Sequence, residues 1–395
     1  MPELLQSIQN VLVYAASFIL VLSVVVFVHE FGHFQVARWS KVAIDTFSIG
    51  FGKTLLGWRD RHGVQWKVGA LPLGGYVKFA DDADAMSTAP REQIDDPAVR
   101  AEARRKGLFH AQPLVTRSLV VAAGPVANFI FAIFAFAAVA LIAGRDVTDP
   151  NQLPARIMTV AAGSAAAEAG LQPGDVITRA GERAVTNFTE LQAQVAPSAG
   201  RQLAVEVRRG ERTLSLMVTP RELEGRGVLG VSGPMPLPSE RRVERYGVGE
   251  AFLVGARNTW MIIAQTGAYI GAIFAGRESG DQIAGPLGII NVSGQVASSA
   301  LTVPEATLTE RLQTLGLALL GLAAVLSVAV GFVNLLPIPI LDGGHLLFYA
   351  IEALRGGKPL PPAAQEWAYR AGFAVMASLF LFATWNDITR LLPGS

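Results

Sequence analysis

The sequence predicts a polytopic α-helical membrane protein that carries a small membrane-associated sheet and one separate α+β domain. Three observations predict it. Of 395 residues, 51% are hydrophobic and only 16% charged, with a mean hydropathy of +0.38. A soluble chain carries about a quarter charged residues. Four long stretches are uncharged or nearly so, at 11–28, 118–144, 312–341 and 367–386. Between the second and third lies a block, 154–232, of short alternating segments punctuated by glycine. The same composition excludes other classes. The apolar content is too high for a disordered chain. Net charge is +1, which leaves no basic surface to expect for nucleic acid. Cysteine is absent, so any metal must be held by His, Asp or Glu.

The first helix, within 1–37, has an 18-residue uncharged core, enough to cross a bilayer. It lacks the basic start of a signal peptide, since residues 1–37 contain no Lys or Arg. Residues 38–117 carry 13 of them, which places this segment in the cytoplasm and the N-terminus outside. Residues 118–144 and 366–391 read as the second and fourth transmembrane helices, and 312–354 as the third transmembrane segment. Residues 245–300 read as an interfacial or amphipathic helical region, with 259–275 able to span or to lie along the surface.

The first apolar run ends in His29-Glu30-Phe31-Gly32-His33, the pattern H-E-x-x-H. On a helix, positions i and i+4 share a face, so both imidazoles reach one metal ion and Glu30 sits beside its open position. Zinc lowers the pKa of bound water to about 7, and Glu30 is then the candidate base. Ionisable groups in an apolar helix are functional candidates by default. A catalytic zinc needs a third protein ligand. His62 and His110 lie in the polar loop and read as surface residues. The third apolar segment ends Asn334-Leu335-Leu336-Pro337-Ile338-Pro339-Ile340-Leu341-Asp342-Gly343-Gly344-His345. Its prolines break a helix and its glycines permit a sharp turn. Asp342 is the favoured third ligand, with His345 as the rival. If the two stretches meet at one depth, both segments must run inwards, and 259–275 then cannot span.

Residues 44–79 alternate apolar and polar positions between glycines and Pro72, and read as short antiparallel strands beside the site. An edge strand there could pair with an unwound substrate, or the segment could be a structural lid. Residues 80–106 read as a flexible or loosely helical polar loop. Residues 154–232 look like one PDZ domain. Gly163-Ser164-Ala165-Ala166 leads a short helix, Gln172-Pro173-Gly174-Asp175 turns into a strand, and 203–207 and 214–218 alternate as strands. Gly227–Val231 is the candidate carboxylate loop. Such a domain takes a chain end by strand addition, here a substrate C-terminus, or acts as a steric filter.

With these residues in place, the chain resembles a known family. HExxH in the first helix, GPxxN at Gly124–Asn128 and NxxPxPxLDGG at Asn334–Gly344 are similar to the site-2 proteases. More narrowly, they resemble the bacterial sigma-E-regulator type, and Gly285-Pro286-Leu287-Gly288-Ile289 is similar to its GPxGI segment. The resemblance implies a polytopic α-helical membrane protein with four transmembrane helices, a membrane-associated β-sheet and one PDZ-like α+β domain. It implies an intramembrane zinc metalloprotease of the bacterial inner membrane, with Zn2+ held by His29, His33 and Asp342, Glu30 as catalytic base, and Asn334 and Asn128 on the substrate. Single-pass membrane proteins, such as trimmed anti-sigma factors or remnant signal peptides, would be its substrates, and membrane lipid its surroundings. The best-known enterobacterial members carry two tandem PDZ domains, whereas this chain has sequence for one. The alternative is a non-catalytic PDZ-bearing membrane scaffold.

Overall fold

The computed structural model describes residues 2–80, 96–223, 225–234, 236–237, 240–303 and 306–391. They divide into two compact units, one made of Met1–Ile142 with Gly247–Ser395 and the other of Ala143–Tyr246.

The first unit opens with helix α1, Pro2–Trp39. Its buried positions Phe18, Val21, Val25 and His29 recur every three or four residues, the spacing of one helix face. Strands β1 (Ile44–Arg59) and β2 (Gln65–Phe79) follow. Each is one long bent strand, where short separate strands were expected. Residues 44–49 pair on one side with 75–79 and on the other with 65–68, while 54–59 pair with 65–69. Four ribbons therefore lie side by side, with 54–59 and 75–79 outermost. The bends fall at Gly50 and Gly52, both at positive φ, and at Gly74, where a side chain would be strained.

Helix α2 (Pro97–Arg105) is capped by Asp96 Oδ1, which accepts from the Ala98 N–H at 2.7 Å. The loop expected over 80–106 is thus helical at its end, and its part at 81–95 lies outside the described residues. Helix α3, Leu114–Ala143, corresponds to the second apolar run and contains Pro125.

The second unit begins with β3 (Arg145–Asp146), then α4 (Ala165–Glu168), β4 (Val176–Ala180), β5 (Arg183–Ala184), α5 (Phe188–Val195), β6 (Leu203–Arg209), β7 (Arg212–Val218), β8 (Arg221–Leu223), β9 (Arg226–Val228) and β10 (Val243–Glu244). The order β5-β4-β6-β7 makes an antiparallel sheet. Ile157, Ala166, Ile177, Leu191, Val205, Val207 and Val218 form its core. Asp175 is buried beneath it. Its carboxylate accepts from Arg209 Nε at 2.7 Å, from Arg209 Nη2 at 2.8 Å and from the Gln172 N–H at 2.9 Å. Burial raises its pKa, but these donors outweigh burial and hold the carboxyl below the usual range.

The first unit resumes with α6 (Val248–Phe274) and α7 (Pro286–Leu301), which divide the region 245–300 into two helices. Asp387 accepts from the N–H groups of Gly285 and Gly288, at 3.0 and 2.9 Å, and so caps the start of α7. Helices α8 (Leu308–Asn334), α9 (Asp342–Leu354) and α10 (Pro362–Leu391) complete the chain. The segment 312–354 is therefore two helices. Pro337 and Pro339 fall in the turns that separate them, where neither ring interrupts a hydrogen-bond ladder.

Among the described residues, four helices are long and apolar enough to cross a membrane. They are Asn10–Trp39, Leu114–Ala143, Leu308–Asn334 and Pro362–Arg390. Helix α6 is not one of them. Its Gly255 packs on the backbone of α3 at Ile133 and Ala137, and Phe252 meets Phe134 edge to face at 5.1 Å.

Candidate metal centre

Helix α1 presents His29 and His33 one turn apart, their Nε2 atoms 3.2 Å from each other. Asp342, the first residue of α9, brings its Oδ2 to 3.1 Å from His29 Nε2 and 3.4 Å from His33 Nε2. The sequence therefore pointed to three groups that the fold does bring together. Among the described residues they form a cluster able to hold a metal ion, their ligand atoms all within 4.8 Å of one another.

Close backbone packing makes the meeting possible. A side chain on Gly32 would strike the Ala123 carbonyl of α3, and one on Gly124 would strike His33 Nε2 and come within 2.9 Å of His29 Cε1. Gly331 of α8 rests on α3, where an added Cβ would lie 3.1 Å from the Pro125 carbonyl and 3.2 Å from Asn128 Cβ. Helix α8 therefore ends beside the imidazoles. The turns at 335–341 then interrupt the helix, and Gly343 and Gly344 nest on the carbonyls of Leu335, Leu336 and Ile338. Asp342 starts the next helix, where the N-terminal dipole favours a carboxylate.

The imidazoles are held by what lies behind them. His33 Nδ1 is 2.8 Å from the Val120 carbonyl, which can only accept, so the proton sits on Nδ1 and the Nε2 lone pair is free. Behind His29, the Asn128 amide nitrogen is 3.3 Å from Nδ1 while Asn128 Oδ1 is buried without a partner. An amide is nearly symmetric in shape, and its partners decide which end is oxygen. With Oδ1 turned to the ring, Asn128 accepts from Nδ1–H and His29 takes the same tautomer as His33. Two nitrogen lone pairs then converge on Asp342 Oδ2, itself a buried oxygen without a hydrogen-bond partner. Three electron-rich atoms at this separation repel one another unless a cation lies among them. Two imidazoles and a carboxylate are a zinc donor set with one position left open.

The other candidates fall as follows. Glu30 lies on the same helix turn, with its Cγ against β2, where Gly75 leaves the room: an added Cβ there would sit 2.9 Å from it. Asn128 was expected on the substrate, but its side chain is fully buried on His29. Ser327 donates to its backbone carbonyl at 3.0 Å. Asn334 is half-buried, and its amide donates to the Val330 carbonyl at 3.0 Å. His345 is outside the cluster and packs on Phe348 and Tyr369. His62 is exposed, and His110 is half-buried against Phe109. Sequence reasoning missed the Val120 carbonyl, which no side-chain pattern announces. It also missed the space left by Gly124, although that glycine opens the GPxxN motif.

Gly124→Ala is expected to weaken zinc binding at least tenfold, because the new methyl group occupies the place of the imidazoles. Zinc titration of the purified metal-free protein checks it, and wild-type affinity would contradict the packing described.

A helix-borne imidazole pair, a carboxylate from a distant helix and a glutamate beside them define a metal-dependent hydrolase. Comparison with known sequences narrows the class. Residues 17–379 match the profile of Peptidase family M50. A relative in Rhizobium meliloti, named a zinc metalloprotease, is 41% identical over 95% of this chain and 96% of its own length. Metalloprotease MmpA of Caulobacter vibrioides is 40% identical, covering 96% of each chain. Regulator of sigma-E protease RseP of Salmonella typhimurium is 30% identical over 95% of this chain and 98% of its own. The chain belongs to peptidase family M50, the site-2 proteases, and zinc is its cofactor. The RseP alignment runs over 471 residues against 395 here, so that relative carries insertions.

Proposed function

We propose that this metalloprotease hydrolyses peptide bonds within the transmembrane segments of single-pass membrane proteins. One observation carries the reading. His29, Glu30 and His33 lie inside Asn10–Trp39, a stretch long and apolar enough to cross a membrane, and Asp342 reaches them there. In this reading His29, His33 and Asp342 are the zinc ligands. The metal supplies Lewis acidity towards the scissile carbonyl and the attacking water. Glu30 takes the water's proton and hands it to the leaving nitrogen.

A peptide bond inside a helix is closed off by its own hydrogen bonds, so the substrate must be held extended. The ribbon 75–79 supports this role. It pairs with 44–49 on one side, has no strand on its other edge among the described residues, and passes Glu30 at Gly75. An unwound substrate adds to that edge, and Asn334 contacts its backbone. The unit at 154–232 acts as a single PDZ domain, taking a substrate C-terminus or excluding bulky uncut substrates. Its Leu229 and Gly230 carbonyls bond the N–H groups of Ala166 and Ala161, which supports a structured loop there. The chain resides in the bacterial inner membrane, with the N-terminus and this unit outside and the zinc near the cytoplasmic side.

Reconstitution into vesicles with a single-pass substrate tests the reading. Mass analysis should place the cut within the apolar segment, with no cleavage of an unfolded soluble protein. Cuts confined to the soluble flanks would overturn it.

A further inference from the structure

We infer that Arg117 and Glu352, which no motif above contains, are positioning residues that hold Asp342 on the metal. The inference rests on the ligand set just proposed. Arg117 lies in the first turn of α3 and Glu352 in the last turn of α9. Arg117 Nη2 and Nη1 meet Glu352 Oε1 and Oε2 at 2.5 and 3.1 Å, a two-pronged pair with side chains only 13% and 10% exposed. Arg117 Nε donates to the Gln112 carbonyl at 3.2 Å, and its guanidinium carbon stands 4.8 Å over the Tyr349 ring. All three guanidinium nitrogens and one ring face are engaged.

Burying two charges adds little net stability, because their desolvation offsets their attraction. A forked pair adds geometry, fixing both distance and rotation. That geometry falls where it is needed. Helix α9 is not continuous with α8 but joined to it through the turns at 335–341. Its first residue must still keep an oxygen between two imidazoles. Tyr349 is seven residues beyond Asp342, two turns along the same face, and Glu352 lies one turn further. At the other end, Arg117 is one turn before Val120, whose carbonyl orients His33. One guanidinium therefore ties the part of α3 that sets His33 to the helix that supplies Asp342.

The test uses the full-length, zinc-loaded protein in detergent. The rate of zinc transfer to a chelator is followed alongside kcat and KM on a single-pass substrate and the melting temperature of the metal-free protein. Arg117→Gln and Glu352→Gln are expected to release zinc about tenfold faster and to lower kcat with KM unchanged. Each strands a buried partner and lowers the metal-free melting temperature as well. The doubly neutral Arg117→Gln with Glu352→Gln, which strands no charge, should therefore release zinc as fast at a near-wild-type melting temperature. The double exchange Arg117→Glu with Glu352→Arg should return the release rate to within about threefold of wild type. Wild-type release in the single variants would overturn the inference. So would faster release that tracks a lowered metal-free melting temperature and is not rescued by the exchange. Asp342→Ala, run beside them, separates the two claims. If it keeps its zinc, the ligand set is wrong. If it loses zinc while the Arg117 and Glu352 variants behave as wild type, only the clamp is wrong.

Discussion

Glu30→Gln is expected to remove turnover while leaving the metal in place. The glutamine has nearly the shape of the glutamate and should keep the packing of α1 against β2, where Glu30 Cγ fits the space over Gly75. It cannot accept a proton at neutral pH. General acid–base assistance contributes about 10²–10⁴-fold to rate, and one carboxylate here serves both transfers, so kcat should fall by at least about 10³-fold. Zinc content should stay at one per chain, because His29, His33 and Asp342 are unchanged. Metal analysis and single-turnover cleavage of the same preparation check both halves. Retained turnover would exclude Glu30 as the base, and lost zinc would show that Glu30 acts on the metal instead.

Asp342→Ala should have the opposite signature, with zinc lost first and activity lost as a consequence. The carboxylate oxygen that approaches both imidazoles, at 3.1 and 3.4 Å, disappears. Two imidazoles alone leave a zinc ion short of the three protein ligands of a catalytic site. Purified wild-type protein should contain about one zinc per chain and the variant little. Equal retention after dialysis would remove Asp342 from the site.

The apolar runs marked α1, α3, α8 and α10 because a long uncharged stretch has few other stable forms. Their ends were less legible. Helix α1 continues to Trp39, well beyond the run at 11–28, since His, Glu and Arg near a helix end do not disturb its hydrogen bonds. The hairpin at 44–79 reads in sequence as short strands because glycine weakens a strand interior. Here Gly50 and Gly52 bend a strand that goes on pairing. The imidazole pair could be read from spacing alone, since i and i+4 fix its geometry. Its supports could not. Val120 acts through a backbone carbonyl, and Asn128 acts on a ring 99 positions away. Arg117 and Glu352 each look like an ordinary charge at the edge of an apolar run, and only the folded chain shows that they face each other.

The donors of the metal site stand more than three hundred positions apart, His29 near the start of the chain and Asp342 near its end. Biosynthesis therefore delivers the imidazoles first and the carboxylate last. A nascent polypeptide that has not yet reached Asp342 carries only two of the three donors, so the zinc site stays incomplete until that carboxylate is made.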